Sequence, residues 1–269
     1  MNAYLIGVII SFIIYLIVAF VVSKYVKGAD DYFVAGRNAP TGLIVGSMVA
    51  SLLSTGVFLG DSGEAYNGIW VAVAGCAAIS AGGYVLGAIF FSRFLRRADV
   101  YTIPQFFEKR FNSRPVGIMT VIAVVVAMAV YLLSVTQGGS TLMANVTGLP
   151  YNVCVIMAVA LFTIMVISSG SKGVLITDTI MFGLFTTIGV IAVIIVSVKG
   201  GGWYNIIEDI SANPETHDLL SWHGVLGYLY DTGWENMLYF WAYGICWAGV
   251  GFIGPWQCSR NLMAKSEHT

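Results

Sequence analysis

The chain has 269 residues, 58% hydrophobic and 10% charged, with a net charge of −1 and a mean hydropathy of +0.82. Soluble domains are about 45–50% apolar and about 25% charged. The composition therefore excludes a disordered chain, a nucleic-acid-binding domain and an ordinary soluble enzyme, and four cysteines are too few for a disulfide-stapled secreted module. What fits is an all-α integral membrane protein.

Seven apolar stretches, at residues 3–23, 41–62, 68–92, 115–141, 150–169, 173–198 and 235–257, leave nearly all the charges between them. Each is long enough to cross the hydrocarbon core at about 1.5 Å per residue. The first has no Lys or Arg before it, runs unbroken from Tyr4 to Val22 and is followed by no small-residue cleavage site. It reads as a permanent span with its N-terminus outside rather than as a signal peptide. The basic residues agree. Lys24, Lys27 and Arg37, then Arg93, Arg96, Arg97, Lys109, Arg110 and Arg114, then Lys172, then Arg260 and Lys265 fall in inner segments, and only Lys199 falls outside.

The second stretch places Ser47, Ser51, Ser54 and Thr55 on one helical face, followed by Gly56. A hydroxyl stripe on an apolar span faces protein, water or an ion rather than lipid. Gly56 weakens the helix by about 0.8–1 kcal/mol relative to Ala. A break there frees carbonyl oxygens, which with hydroxyls suit a hard cation. The competing reading is close helix packing, since Gly42 with Gly46, Gly56 with Gly60 and Gly83 with Gly87 all fit the small-residue contact pattern.

In the inner loop at residues 93–114, Thr102 and Gln105 form a capping box with Pro104 in the first turn. Phe106, Phe107 and Phe111 alternate there with charges, as in a short amphipathic helix at the headgroups. Gln137 is a polar amide in the outer half of the fourth stretch, suited to an interhelical bond or to solute contact. Asp178 is the one charge clearly inside a span. It reads either as an interfacial acid paired with Lys172 or a neighbouring basic loop, or as a carboxylate on the inner path of a cation.

The outer segment at 199–234 carries Glu208, Asp209, Glu215, Asp218 and Asp231, and predicts a short surface helix from Trp203 to Ile210. The last stretch is rich in aromatics and glycines, and Gly254 with Pro255 marks a second broken helix. Trp247 there reads as helix packing or as a solute-stacking ring. Cys76, Cys154, Cys246 and Cys258 read as small packing residues. His217, His223 and His268 have no metal-ligand spacing.

Taken together, the motifs resemble the sodium:solute symporter family. The carriers are Asp31-Tyr-Phe-Val-Ala-Gly-Arg37, Ala50-Ser-Leu-Leu-Ser54 with Phe58-Leu-Gly60, Thr102-Ile-Pro-Gln-Phe-Phe-Glu-Lys-Arg-Phe111, Thr177-Asp178, and Pro255 with Arg260-Asn-Leu-Met-Ala-Lys-Ser266. The resemblance implies a leucine-transporter-type inverted-repeat fold. Residues 1–40 would form an extra N-terminal helix and inner loop, and 41–198 the first five-helix repeat. Residues 199–234 would be an extracellular loop, and 235–269 the first helix of a second repeat.

The resemblance implies sodium as coupling ion, held by the Ala50 and Leu53 carbonyls with Ser54 and Asp178 close to its route. A small organic solute is the expected cargo, with Thr55, Gln137, Trp247 and Gly251 as the candidate residues to meet it. The expected setting is the cytoplasmic membrane, with the lipid bilayer and no nucleic acid as partner. Gly138-Gly139 and Pro255 look closer to the proline, pantothenate and carboxylate branches than to the sugar branch.

The chain departs from the family at Leu52, where some members carry an acid, and at Met181 and Ser259, where others carry Gln. Family members have about twice the spans counted here, so the expectation is a truncated chain with a missing C-terminal half. Competing expectations are a proton-coupled transporter of the same fold and a membrane sensor or scaffold. A membrane enzyme is weaker, since no nucleophile–base or metal constellation appears.

Overall fold

The computed structural model describes residues 3–268. Among them the regular elements are helices: α1 (Ala3–Ser23), α2 (Ala29–Val34), α3 (Thr41–Leu52), α4 (Ser62–Glu64), α5 (Trp70–Gly87), α6 (Arg93–Arg97), α7 (Ile103–Phe111), α8 (Arg114–Thr147), α9 (Tyr151–Lys199), α10 (Trp203–Ala212), α11 (Gly233–Ile253) and α12 (Pro255–Met263). The chain divides into two compact units. One takes residues up to Gly56, Ser92–Phe182 and Pro255 onward, and the other Val57–Phe91 and Gly183–Gly254.

Five helical runs are long and apolar enough to cross a membrane: Ala3–Ser23, Gly56–Arg97, Arg114–Thr147, Tyr151–Lys199 and Gly233–Met263. The sequence pattern counts seven. Residues 150–169 and 173–198 both fall within α9, parted by the non-helical backbone of Gly170. Residues 41–62 divide at Leu53 into the 12-residue α3 and the start of the run Gly56–Arg97, which takes in 68–92 beyond the non-helical Gly68 (φ 99°).

In the first unit, Ala19 of α1 packs on Leu161 and Met165 of α9, flanked by Phe12, Tyr15 and Leu16. α9 kinks at Gly170, whose backbone (φ 54°, ψ −154°) is open only to glycine. A Cβ there would also lie 2.6 Å from the Tyr32 carbonyl oxygen. α2 is held against this kink. The Tyr32 hydroxyl donates to the Val166 carbonyl at 3.2 Å, Ser171 Oγ donates to the Phe33 carbonyl at 2.9 Å, and Lys172 Nζ lies 3.4 Å from Asp31.

α7 forms where the capping box places it. The Gln105 N–H donates to Thr102 Oγ1 at 3.4 Å, and Gln105 Oε1 accepts from the Tyr101 N–H at 2.9 Å. Ile103 and Phe106 face inward while Phe111 stays exposed. Beyond α12 the chain pairs with the linker before α3. The Ala39 N–H donates to the Met263 carbonyl at 3.1 Å, and the Lys265 N–H donates to the Ala39 carbonyl at 3.1 Å. Arg96 Nε secures this strap through the Ala264 carbonyl at 2.6 Å, Arg97 pairs with Glu267, and Arg37 pairs with Asp99.

In the second unit, α5 and α11 pack through glycines. A Cβ at Gly83 would collide with the Ala248 carbonyl, one at Gly87 would come 3.0 Å from the Phe252 oxygen, and one at Gly251 would come 2.8 Å from the Tyr84 ring. The small-residue contact pattern is therefore realised at Gly83 and Gly87. At Gly60 and Gly42 a Cβ would meet no atom within 4 Å among the described residues, whereas one at Gly46 would come 2.8 Å from the Thr179 side chain. Ile69, Ala72 and Phe240 form this unit's buried cluster. The surface helix expected from Trp203 is present as α10. α11 is capped by Thr232, whose Oγ1 accepts from the Glu235 N–H at 3.3 Å.

Candidate functional site

α3 stops inside its own apolar stretch. Leu53 leaves helical geometry (φ −74°, ψ 59°) while its N–H still donates to the Val49 carbonyl at 2.9 Å. In an unbroken helix the next N–H, from Ser54, would reach the Ala50 carbonyl. It turns instead to the Leu52 carbonyl at 2.8 Å. The Ala50 carbonyl thus loses its regular helical donor. Ser54 Oγ accepts from the Gly56 N–H at 3.3 Å, and helical turns resume at Gly56. The break lies three residues before the glycine that marks it in the sequence, because the turn is made by the Leu53 backbone and stabilised by the Ser54 hydroxyl.

The hydroxyl stripe divides in two at this break. Ser47 and Ser51, on α3, face Arg260 of α12: Arg260 Nε donates to Ser47 Oγ at 2.6 Å and Nη2 donates to Ser51 Oγ at 2.5 Å. Arg260 Nη2 also lies 2.8 Å from Asp178 Oδ2, and the Ser47 hydroxyl donates to the same oxygen at 2.6 Å. Arg260 Nη1 is tied to the Trp256 carbonyl at 2.7 Å, and the Trp256 ring stacks on Tyr131 with centroids 4.3 Å apart. The pair is mostly enclosed, with side-chain exposures of 11% for Arg260 and 18% for Asp178.

Three segments far apart in sequence therefore converge on one carboxylate. Asp178 pairs with Arg260 and not with Lys172, which reaches Asp31. Arg260 is the partner that sequence reasoning missed, reading it among the inner basic residues and in the motif after Pro255 but not as a site residue. The signal was present, since an intramembrane Asp requires a cationic partner. A cavity of about 370 Å³ adjoins the pair, walled by Tyr101, Met128, Val174 and Trp256, with Ser47, Thr102, Ser171, Ser259 and Arg260 among its polar elements.

Thr55 sits against α8, where a Cβ on Gly138 would come 3.0 Å from the Thr55 side chain. Glycine at 138 thus lets the end of the α3 break approach the segment carrying Gln137, although the Gln137 side chain is exposed. Carbonyl and hydroxyl oxygens concentrated at a helix break form a donor set for a hard monovalent cation.

Comparison with known proteins gives this geometry its context. Residues 32–267 match the model of the sodium:solute symporter family. The chain belongs to that family. It is 28% identical over 258 residues to a sodium/glucose cotransporter of Vibrio parahaemolyticus, covering 89% of this chain and 44% of that protein. It is 23% identical over 278 residues to the sodium/proline symporter of Escherichia coli, covering 97% and 52%. It is 26% identical over 218 residues to the sodium/pantothenate symporter of the same organism, covering 76% and 44%. The chain spans about half the length of the curated relatives it matches. Sugar, proline and pantothenate symporters all match, so membership does not select a branch.

With its apolar helical runs, this member of the symporter family is a multi-pass membrane protein. Large aliphatic side chains such as Ile17, Val125 and Ile194 stand exposed along α1, α8 and α9, as lipid-facing residues do.

The two remaining sequence candidates lie in the second unit. Gly251 is buried against Tyr84 on the packed α5–α11 seam. Trp247 is half-buried and meets the Tyr243 ring edge-on at 6.2 Å.

Proposed function

We propose that this chain works in sodium-coupled symport of a small organic solute across the cytoplasmic membrane. The observation that carries the reading is the α3 break, where the Ser54 N–H abandons the Ala50 carbonyl for that of Leu52. In this reading the Ala50 and Leu53 carbonyls and the Ser54 hydroxyl hold sodium as transported cargo. Such donors replace part of the ion's hydration shell without adding a fixed charge.

The Asp178–Arg260 pair is assigned to the inner end of the path. Paired, it closes that end, and the carboxylate is available to a departing cation once Arg260 withdraws. Thr55 and Gln137 are assigned to the solute, with Trp247 and Gly251 as further candidates. The domain assignment goes with this proposal: residues 41–198 form a first five-helix repeat, 199–234 an external loop, and the helix from 235 opens a second repeat. The distribution of basic residues supports an N-terminus outside in this reading.

The family membership and the symporters among the relatives support sodium coupling. The test is uptake of radiolabelled glucose, proline and pantothenate by cells expressing the full-length protein, with sodium or choline outside at fixed pH. Accumulation of one solute in sodium and none in choline is expected. Equal accumulation in choline contradicts the reading.

A further inference from the structure

The corner where α7 turns into α8 carries charge that the transport reading does not use. Residues 93–114 hold six Lys or Arg and two acids, and most of these are already engaged within the protein. Arg96 Nε donates to the Ala264 carbonyl, Arg97 pairs with Glu267, and Lys109 Nζ donates to the Ala98 carbonyl at 2.7 Å. Arg93 adds to the field at Glu267. Asp99 pairs with Arg37, and Glu108 is folded back on α8, where a Cβ at Gly117 would come 2.9 Å from its Oε2. Arg110 and Arg114 remain. Both are exposed, and neither has a hydrogen bond or ion pair among the described residues.

Apolar rings stand open beside them. α7 buries Ile103 and Phe106 but leaves Phe107 half-buried and Phe111 62% exposed. The Phe107 and Phe111 rings stack nearly parallel, with centroids 6.3 Å apart. Arg110 stands three residues from Phe107, next to it on the helix surface. α8 begins at Arg114 and is long and apolar enough to cross a membrane, and its exposed aliphatic side chains open with Ile118 and Met119. Arg114 thus lies about 6 Å along the helix from side chains that meet acyl chains. In a multi-pass membrane protein this is the depth of the lipid headgroups.

We propose that the α7–α8 corner binds the headgroup of an anionic phospholipid. Arg110 and Arg114 pair with its phosphodiester, whose oxygens suit the planar fork of a guanidinium. Phe107 and Phe111 rest among the first acyl carbons, as the apolar face of an interfacial helix does. Two unpaired guanidiniums attract a lipid of net negative charge. A zwitterionic lipid brings its own cation, which they repel. The site rests on the membrane setting and is independent of the α3 break.

The test is native mass spectrometry of the purified full-length protein, titrated in detergent with phosphatidylglycerol or with phosphatidylcholine of identical acyl chains. Tighter binding of phosphatidylglycerol is expected, weakening as ammonium acetate is raised. Arg110→Gln and Arg114→Gln should each weaken it about fivefold, and the double variant about thirtyfold, as expected for one basic residue at a charged surface and for two. Phe111→Ser should weaken both lipids alike. Lys199→Gln, which removes a basic residue elsewhere, should change neither. Inorganic phosphate at the same concentration should not displace the lipid. Equal affinity for the two lipids in the unaltered protein overturns the proposal. So does a phosphatidylglycerol preference that survives in the double variant, one lost equally in Lys199→Gln, or full displacement by inorganic phosphate.

Discussion

Arg260 and Asp178 meet at 2.8 Å across 82 residues of sequence, with Ser47 hydrogen-bonded to both. Removing either charge leaves the other partly buried without its partner, which costs about 3–5 kcal/mol for a fully enclosed pair. Here the remaining exposure lowers the expected cost to about 1–3 kcal/mol. Asp178→Asn and Arg260→Gln should each lower the thermal midpoint of the protein in detergent. The double variant should lose less than the sum, because each single change already removes the shared interaction. Strict additivity in this cycle contradicts the assigned coupling.

The Gly170 kink makes a sharper stability prediction. Ala at 170 must adopt a glycine-only backbone and push against the Tyr32 carbonyl, which should cost about 1–3 kcal/mol or more. Gly189, also in α9, has helical neighbours and no atom within 4 Å of a Cβ. Gly189→Ala should therefore be neutral or stabilising by up to about 1 kcal/mol. Thermal unfolding of the two variants side by side checks this, and an equal response from both contradicts it.

α5 offers a similar contrast in the second unit. Gly83→Ala drives a methyl into the Ala248 carbonyl, whereas Gly82→Ala meets nothing within 4 Å. Overpacking of this kind costs about 1–3 kcal/mol. Gly83→Ala should lower the yield of folded, monodisperse protein, and Gly82→Ala should not.

The contacts of α2 and of the strap beyond α12 carry their own pH dependence. The Lys27 N–H bond and then the Lys172 charge hold the Asp31 carboxyl below its ordinary value, and the Arg97 hydrogen bond does the same for Glu267. A carboxylate with a depressed folded-state value contributes stability above its unfolded value and loses it as pH falls through the folded one. The contacts of α2 and of the strap beyond α12 should thus be constant at neutral pH and should loosen only below the ordinary carboxylate range, under about pH 4. Isotope-edited NMR titration of the two carboxyls, with the midpoints expected below those of free Asp and Glu, measures this directly.

Local chemistry made part of this structure legible in advance. The Thr102–Gln105 cap, the α10 segment and the Gly254–Pro255 break each depend on residues within a few positions of one another. At that last break, Gly254 takes the extended backbone (φ −56°, ψ 134°) that a following proline favours. The hydroxyl face of α3 was likewise readable from helical spacing. The boundary drawn between residues 169 and 173 falls on the non-helical backbone of Gly170. Two features were not legible. Leu52-Leu53 gives no local sign of the turn that ends α3. The Arg260–Asp178 contact is set by tertiary packing, so sequence spacing pointed to the nearer Lys172.

In the proposed function, main-chain oxygens released near Leu53 hold sodium, with the Ser54 hydroxyl beside them. The most direct measurement is the sodium dependence of solute uptake in Ser54→Ala and Ser54→Thr compared with the unaltered protein. The account expects Ser54→Ala to raise the sodium concentration for half-maximal uptake about tenfold, the equivalent of about 1.4 kcal/mol of ion binding, with Ser54→Thr close to normal. An unchanged sodium dependence in Ser54→Ala, in protein that folds and transports normally, contradicts it.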